Sequence, residues 1–327
     1  MGMAACQRFR LISAIADPTT IAAWSAIGSR LSSQSELEEL RRRIDVIDNN
    51  LLELLVDRLV VVEQVAALKA DGNAAIYVPS REAAIIRRLV GRCKDGLPVG
   101  TMVRIWRELL GAGVRREGPF AVGAYVPPDG PGVWDISRDH FGSQMPMTMF
   151  QTASQVIRAV TDRRVTVGVL PMPQDGDAEP WWVHLLSPDA DIPRVVARLP
   201  FGPRGNARFD GDALAIGYGA PAPSGSDRTL LATENAVDIS HSRFSTVFTA
   251  VGLSCRLIAF HALGGSTYTL IETDGFVPLS DSRIAQLRER LGGDLYRLLA
   301  VGSYAIPLPD AAESVPGHAA AVYGTRG

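Results

Sequence analysis

Lysine is nearly absent from this chain of 327 residues. Only Lys69 and Lys94 among its 33 cationic residues are lysines, so arginine carries almost all of the positive charge. The three cysteines are isolated, and the five histidines never fall at a ligand spacing, so we predict no disulfide framework, no metal site and no cofactor. The net charge of −2 gives no reason to expect nucleic acid or a membrane surface as a partner.

Long hydrophobic runs are missing as well. The apolar stretch LISAIA, at residues 11–16, is too short for a secretory signal, and no segment is long enough to span a membrane. We therefore predict a cytoplasmic protein in which residues 1–34 are a disordered extension, with a mitochondrial-like transit peptide left open as an alternative. Residues 307–327 are rich in Ala, Pro and Gly and are predicted to be a flexible tail.

Glycine and proline are absent from residues 35–69, and this segment organises the rest of the chain. Its apolar residues recur in alternating steps of three and four, which is typical of one face of a long helix. The members of this face are Leu37, Leu40, Ile44, Ile47, Leu51, Leu54, Val61, Val65 and Leu68. A helix of this length extends about 50 Å, so it needs partners along its whole length.

Two cations interrupt the apolar seam of this helix. Arg58 lies seven residues from apolar positions on either side, and Lys69 follows three turns later on nearly the same face. A buried cation is costly unless an anion meets it, so either a nearby acid or an anionic ligand is expected. Arg41 lies about 25 Å before Arg58 on the helix and roughly 100° around its axis. If both arginines bind one small anion, Arg41 must come from a second copy of the chain.

Two shorter helices and a change of character follow. Ser80 is predicted to cap a second helix, and residues 101–116 are predicted to form a third. Beyond Gly118-Pro119 the pattern becomes alternating α/β. Helices are predicted at 134–141 and 153–163, and strands at 119–126, 165–172, 181–186 and 213–217. Residues 221–227 are predicted to be a linker, and 228–306 follow the βαββαβ order of a ferredoxin-like unit.

The segments 40–69 and 77–89 resemble the all-helical class of chorismate mutases, and most of all the mutase domain of the bifunctional chorismate mutase–prephenate dehydratases. The resemblance covers roughly residues 35–117. It implies a three-helix domain that forms an intertwined homodimer, with chorismate as the substrate. The implied site contains six residues, namely Arg41, Arg58, Lys69, Arg81, Glu82 and Glu117.

The resemblance also implies a role for each of these side chains. Arg58 and the Arg41 of the partner chain would hold the two carboxylates of chorismate, because bidentate guanidinium groups suit that task. Lys69 would donate to the ether oxygen, and Arg81 would add positive field.

The two acids of the implied site have different tasks. Glu82 would accept a hydrogen bond from the ring hydroxyl, and Val78 stands where the family often has a further acid. Glu117 would face the ether oxygen opposite Lys69, where it can donate only in its protonated form. The alternative for Glu82, as for Arg81, is a surface ion pair in a first helical turn.

The order of domains resembles the bifunctional enzymes, in which a dehydratase domain and an ACT domain follow the mutase. It predicts a mutase domain at 35–118, a degenerate dehydratase-like α/β domain at 119–226 and an ACT-like domain at 227–306. Ala207 stands where the resemblance expects a threonine, and 177–204 is too short for a second lobe. These departures predict a chorismate mutase without dehydratase activity. A working bifunctional enzyme and a non-catalytic effector-binding scaffold remain the alternatives.

Overall fold

The structure is a computed structural model, and it describes residues 34–72, 75–93, 96–189, 191–219, 221–236 and 239–309. The predicted extension at 1–34, apart from Gln34, and the predicted tail from residue 310 onward lie outside the described residues. Within the described ranges, no helix is long and apolar enough to cross a membrane.

Three helices open the described chain: α1 at Gln34–Gly72, α2 at Pro79–Val90 and α3 at Val99–Glu117. All three were predicted at these positions. The predicted cap of α2 is wrong, because Val78 occupies the N-cap position and Ser80 lies inside the helix. Pro79 explains the difference, since proline is favoured at the first helical position, where its missing N–H has no helical partner.

The chain divides into two compact units, Met1–Leu68 and Lys69–Gly327. In the first unit, the described residues belong to α1. The second unit begins with the last turn of that helix and includes α2, α3 and everything that follows. The predicted domain boundaries after residues 118 and 226 do not coincide with this division, and they stay predictions.

Within the second unit, the strands form one nine-stranded sheet in the order β2-β1-β3-β5-β4-β9-β6-β8-β7. The strands are β1 Val122–Tyr125, β2 Met147–Phe150, β3 Val167–Pro171, β4 Arg194–Leu199, β5 Ala213–Gly217, β6 Asp227–Asn235, β7 Arg256–Leu263, β8 Ser266–Asp274 and β9 Leu295–Ala305. The helices between them are α4 Trp134–Phe141, α5 Ala153–Thr161, α6 His241–Ala250 and α7 Ser282–Leu291. The observed order from β6 to β9 is the predicted βαββαβ order.

One strand predicted from the sequence is wrong. Residues Trp181–Leu185 form a 3₁₀ helix, and Trp181 and Trp182 are both buried against the sheet. A short apolar run bounded by proline has no periodicity that separates a strand from a buried helical turn.

Two strands, β2 and β4, were missed. In β4 the residues alternate between half-buried and buried positions, which is the period expected of a strand. This strand lies between β5 and β9, and it pairs with β9 where Val195 meets Gly302. A Cβ atom at Gly302 would collide with the backbone of Val195, so this junction requires glycine.

Helices α2 and α3 pack directly on the sheet region of the second unit. Ala83 and Ile86 of α2 share a buried cluster with Phe201, which follows β4, and with Ala305, which ends β9. On the other side of α3, a Cβ atom at Gly111 would collide with the carbonyl oxygen of Phe141. Apolar burial therefore holds both helices on the sheet region, and a close backbone approach holds α3 against α4.

Candidate active site

Lys69 and Glu117 form an ion pair at the ends of two helices. The Lys69 ammonium, in the last turn of α1, donates to Glu117 Oε2, in the last turn of α3, over 2.5 Å. The lysine side chain is 25% exposed and the glutamate side chain 13% exposed. Both charged groups are thus partly shielded from water, and both remain partly accessible to a small molecule.

Glu82 lies in the first turn of α2 and is buried. It accepts a hydrogen bond on Oε2 from Arg107 Nη1 of α3, over 2.9 Å. Burial raises the pKa of Glu82, and the charge and hydrogen bond of Arg107 act in the opposite direction. The surface ion pair considered for Glu82 is therefore wrong, because both partners are shielded from solvent.

Three of the six predicted site residues come together within the second unit. The charges of Glu117 and Lys69 both act on Glu82, the first raising its pKa and the second lowering it. Each residue comes from a different helix, and each lies at a helix end, so the loop geometry and packing of α2 and α3 decide their separation. Lys69 pairs with Glu117, and both act electrostatically on Glu82, so these three residues form the candidate site.

The other three predicted site residues, all arginines, differ in their exposure to solvent. Arg58, in the first unit, is half-buried, and burial lowers the pKa of its guanidinium. Arg41 is exposed in the same unit, and Arg81 is exposed at the start of α2.

Arg107 was missed from the sequence, although a signal was present. It follows Val103 by four residues and precedes Leu110 by three, so it falls on the apolar face of α3. The same reasoning had singled out Arg58 on α1. Arg107 is only 3% exposed, as expected for a residue on the apolar face of a helix. Its ionic partner, Glu82, lies on the neighbouring helix α2.

A second charged pair involves the segment 205–209. Asp135 of α4 is buried and accepts hydrogen bonds from Arg208 through the backbone N–H, Nε and Nη2, over 3.1, 2.7 and 3.0 Å. These hydrogen bonds hold the pKa of Asp135 at about 2. The arginine of this segment is thus engaged by an acid of the same chain, and the neighbouring Ala207 offers no hydrogen-bond donor in its side chain.

Comparison with known proteins identifies the helical region. Residues 40–118 match the family Chorismate mutase type II. This range contains α2, α3 and all but the first turns of α1, and it includes every residue of the predicted site.

Among known proteins, the chain is similar to the bifunctional chorismate mutase/prephenate dehydratase of Pseudomonas aeruginosa, with 31% identity over 147 residues. That alignment covers 43% of this chain, and the chain spans 40% of the relative's length. The chorismate mutase of Methanocaldococcus jannaschii is 37% identical over 60 residues, which are 18% of this chain and 61% of that protein.

Among solved structures, the chain is similar to the prephenate dehydratase from Streptococcus mutans. The match has a TM-score of 0.40 and 13% identity, and it covers 58% of this chain and 99% of that one. Residues 40–118 are a chorismate mutase type II domain, homologous to the mutase of the bifunctional enzymes, and a large sheet-containing region follows it.

Proposed function

We propose that this protein is a chorismate mutase that rearranges chorismate to prephenate. The observation that carries the proposal is the convergence of Lys69, Glu82 and Glu117 at the ends of three helices, inside the segment that matches the mutase family. Purified protein supplied with chorismate should convert it to prephenate, followed as loss of chorismate and identified by mass and chromatography. A protein that is folded but leaves chorismate unchanged would contradict the proposal.

The reaction is an intramolecular rearrangement, in which the ether C–O bond breaks while a new C–C bond forms. It requires no nucleophile, so an enzyme contributes by holding a compact conformer and by placing positive charge where the ether oxygen gains electron density. Lys69 is the proposed donor to that oxygen. Glu82 is the proposed acceptor of the ring hydroxyl, and Arg58 with the partner's Arg41 would hold the carboxylates, with Arg81 adding positive field.

The site is proposed to be shared between two copies of the chain. The apolar residues of the predicted seam of α1 are each more than 40% exposed in the single chain. A second copy is the occupant that fits, because the predicted seam continues along the helix and because Arg41 and Arg58 are too far apart on one helix to bind one small molecule. The homodimer therefore accounts both for the exposed face and for the two arginines.

Glu117 is proposed as a second donor to the ether oxygen. Opposite Lys69 it can donate to the ether oxygen only when protonated, and in its ionised form it would repel the charge that develops there. Activity should therefore decline as pH rises, and Glu117→Gln should flatten this decline, because an amide donates at any ordinary pH. The measurement is kcat/KM against pH for both proteins, and profiles of the same shape would exclude Glu117 as the second donor.

The sheet region is proposed to combine a dehydratase-like α/β part with a ferredoxin-like, ACT-like part. The order β9-β6-β8-β7 and the two helices α6 and α7 support the second assignment. Arg87 of α2 donates hydrogen bonds to Ser224, to the carbonyl oxygen of Ser226 and to that of Ile306. These contacts support a role for the sheet region in holding helix α2 of the mutase segment.

The chain is expected to lack dehydratase activity. The described strands form one sheet, and the stretch between β3 and β5 contributes a 3₁₀ helix and one strand to it, which leaves no second lobe in the part of the chain that the structure describes. Arg208 is already engaged by Asp135, so a substrate carboxylate would have to displace an internal partner. Prephenate incubated with the protein near neutral pH should form phenylpyruvate no faster than without it. Enzyme-dependent formation would instead support the bifunctional alternative.

A further inference from the structure

Arg107 carries a buried guanidinium on α3 that takes no part in the proposed reaction so far. Its Nη1 donates to Glu82 Oε2 over 2.9 Å, and both side chains are shielded from solvent. Two charges removed from water stabilise each other only when their geometry is good, and removing one leaves the other buried and unpaired. The pair therefore constrains where the Glu82 carboxylate lies.

The Phe201 ring of the sheet region lies against Arg107. Its guanidinium carbon lies 5.3 Å from the centre of the Phe201 ring, which is buried. On the side of α4, burial and the charge of Arg107 lower the pKa of His140 well below its ordinary value. Its Nε2 is 3.3 Å from the hydroxyl of Tyr77. Arg107 thus lies over the Phe201 ring, with Glu82 as its ionic partner, and the pocket that it lines is shared with His140 and with Arg198 of β4.

We propose that Arg107 is a positioning residue for the mutase reaction, which holds Glu82 ionised and in one orientation so that Oε1 accepts the hydrogen bond of the ring hydroxyl. This inference rests on the proposed function and on the role proposed for Glu82. It also assigns a task to the sheet region, because Phe201 lies against the guanidinium from outside the mutase helices.

The charges around Glu82 determine the expected pH dependence. Arg107 lowers the pKa of Glu82, as does Lys69 of α1, while burial and the charge of Glu117 raise it. Tyr77 is buried, and its own pKa is raised well above the ordinary value, so it stays protonated throughout the working range. The ionised Glu82 carboxylate is the stronger acceptor for the hydroxyl, so activity should be highest above its pKa and fall as pH falls through it. Removing Arg107 should move this loss to higher pH.

The experiment compares kcat/KM against pH for the full chain and for Arg107→Gln. An opposite charge at this distance lowers the pKa of an acid by about 1–3 units. The acid limb, which is the part of the profile where kcat/KM falls as pH falls, should therefore move up by about 1–3 pH units in the variant. Arg107→Lys keeps the charge, and its acid limb should stay closer to that of the parent protein. A change in stability alone would reduce the amount of folded enzyme without moving the limb.

Arg87→Gln is the matched control. Arg87 belongs to the adjacent helix, and its guanidinium carbon lies 5.4 Å from the centre of the same Phe201 ring. Its hydrogen bonds go to Ser224, Ser226 and Ile306 rather than to Glu82. This variant should lose a comparable set of contacts and yet keep the acid limb unchanged.

Glu82→Gln separates an effect through Glu82 from any other effect. An amide has no acid limb, so Arg107→Gln should produce no pH shift in this background. The double variant Glu82→Gln/Arg107→Gln removes both charges of the buried pair and leaves neither one unpaired. It therefore takes the place of Arg107→Gln in the test if that single variant does not fold. A further loss of kcat/KM in the double variant, relative to Glu82→Gln, would overturn the inference.

The outcomes distinguish this inference from the proposed function. A parent protein without mutase activity would refute the function itself. If the parent protein is active and a folded Arg107→Gln variant has the same acid limb, the function stands and the assignment of Arg107 is wrong.

Discussion

Replacement of Lys69 by methionine is expected to lower kcat by a factor of about 10²–10³. Loss of one preorganised donor to developing charge typically costs this much, equivalent to about 2.7–4 kcal/mol. Methionine keeps the aliphatic stem, so folding should change little. The ammonium also pairs with Glu117 over 2.5 Å, so the variant leaves this acid, 13% exposed, without its cation.

Steady-state kinetics with chorismate provide the measurement, with circular dichroism as a check that the variant is folded. Lys94→Met is the matched control, since Lys94 is the one other lysine of the chain, and it should keep its activity. Lys69→Arg tests whether charge alone suffices, because a planar guanidinium does not replace a compact ammonium at a point donor site. An unchanged kcat in Lys69→Met would refute the assignment of Lys69 to the ether oxygen.

Replacement of either Arg41 or Arg58 by alanine is expected to leave the protein nearly inactive. Each guanidinium is proposed to hold one carboxylate of chorismate, and a missing bidentate partner leaves that charge without compensation. Arg42→Ala is the control on the same helix. Arg42 pairs with Glu39 over 2.7 Å at the surface, its side chain is 71% exposed, and its loss should have little effect on activity.

A mixture of the two inactive variants should recover activity if the site is shared. In a mixed dimer, one site receives Arg58 from one chain and Arg41 from its partner, whereas the other site receives neither. Random exchange of equal amounts should therefore restore about a quarter of the sites. The mixture should be refolded together and its mass measured by sedimentation. A fully active monomer, or a mixture with no recovery, would contradict the shared site.

Local sequence signals were sufficient for the helices and for most of the strands. The helix α1 and the βαββαβ order both rest on periodicities and turn residues that act over a few positions. The same signals failed at Trp181–Leu185, where a short apolar run lacks a period, and they were overlooked at β4. That missed strand matters most, because β4 lies between β5 and β9 and makes one sheet of the two predicted domains.

The sequence by itself determined the three mutase helices, because periodicity along a helix dictates which face a side chain occupies. The family resemblance carried by those helices implied the candidate residues Lys69, Glu82 and Glu117. Only the tertiary structure decided what those side chains meet. Glu82 is buried against Arg107, and Arg107 lies over Phe201, which stands 94 residues further along the chain. Contacts between distant segments depend on how helices and sheet pack, and packing is a property of all the buried surfaces together rather than of any local pattern.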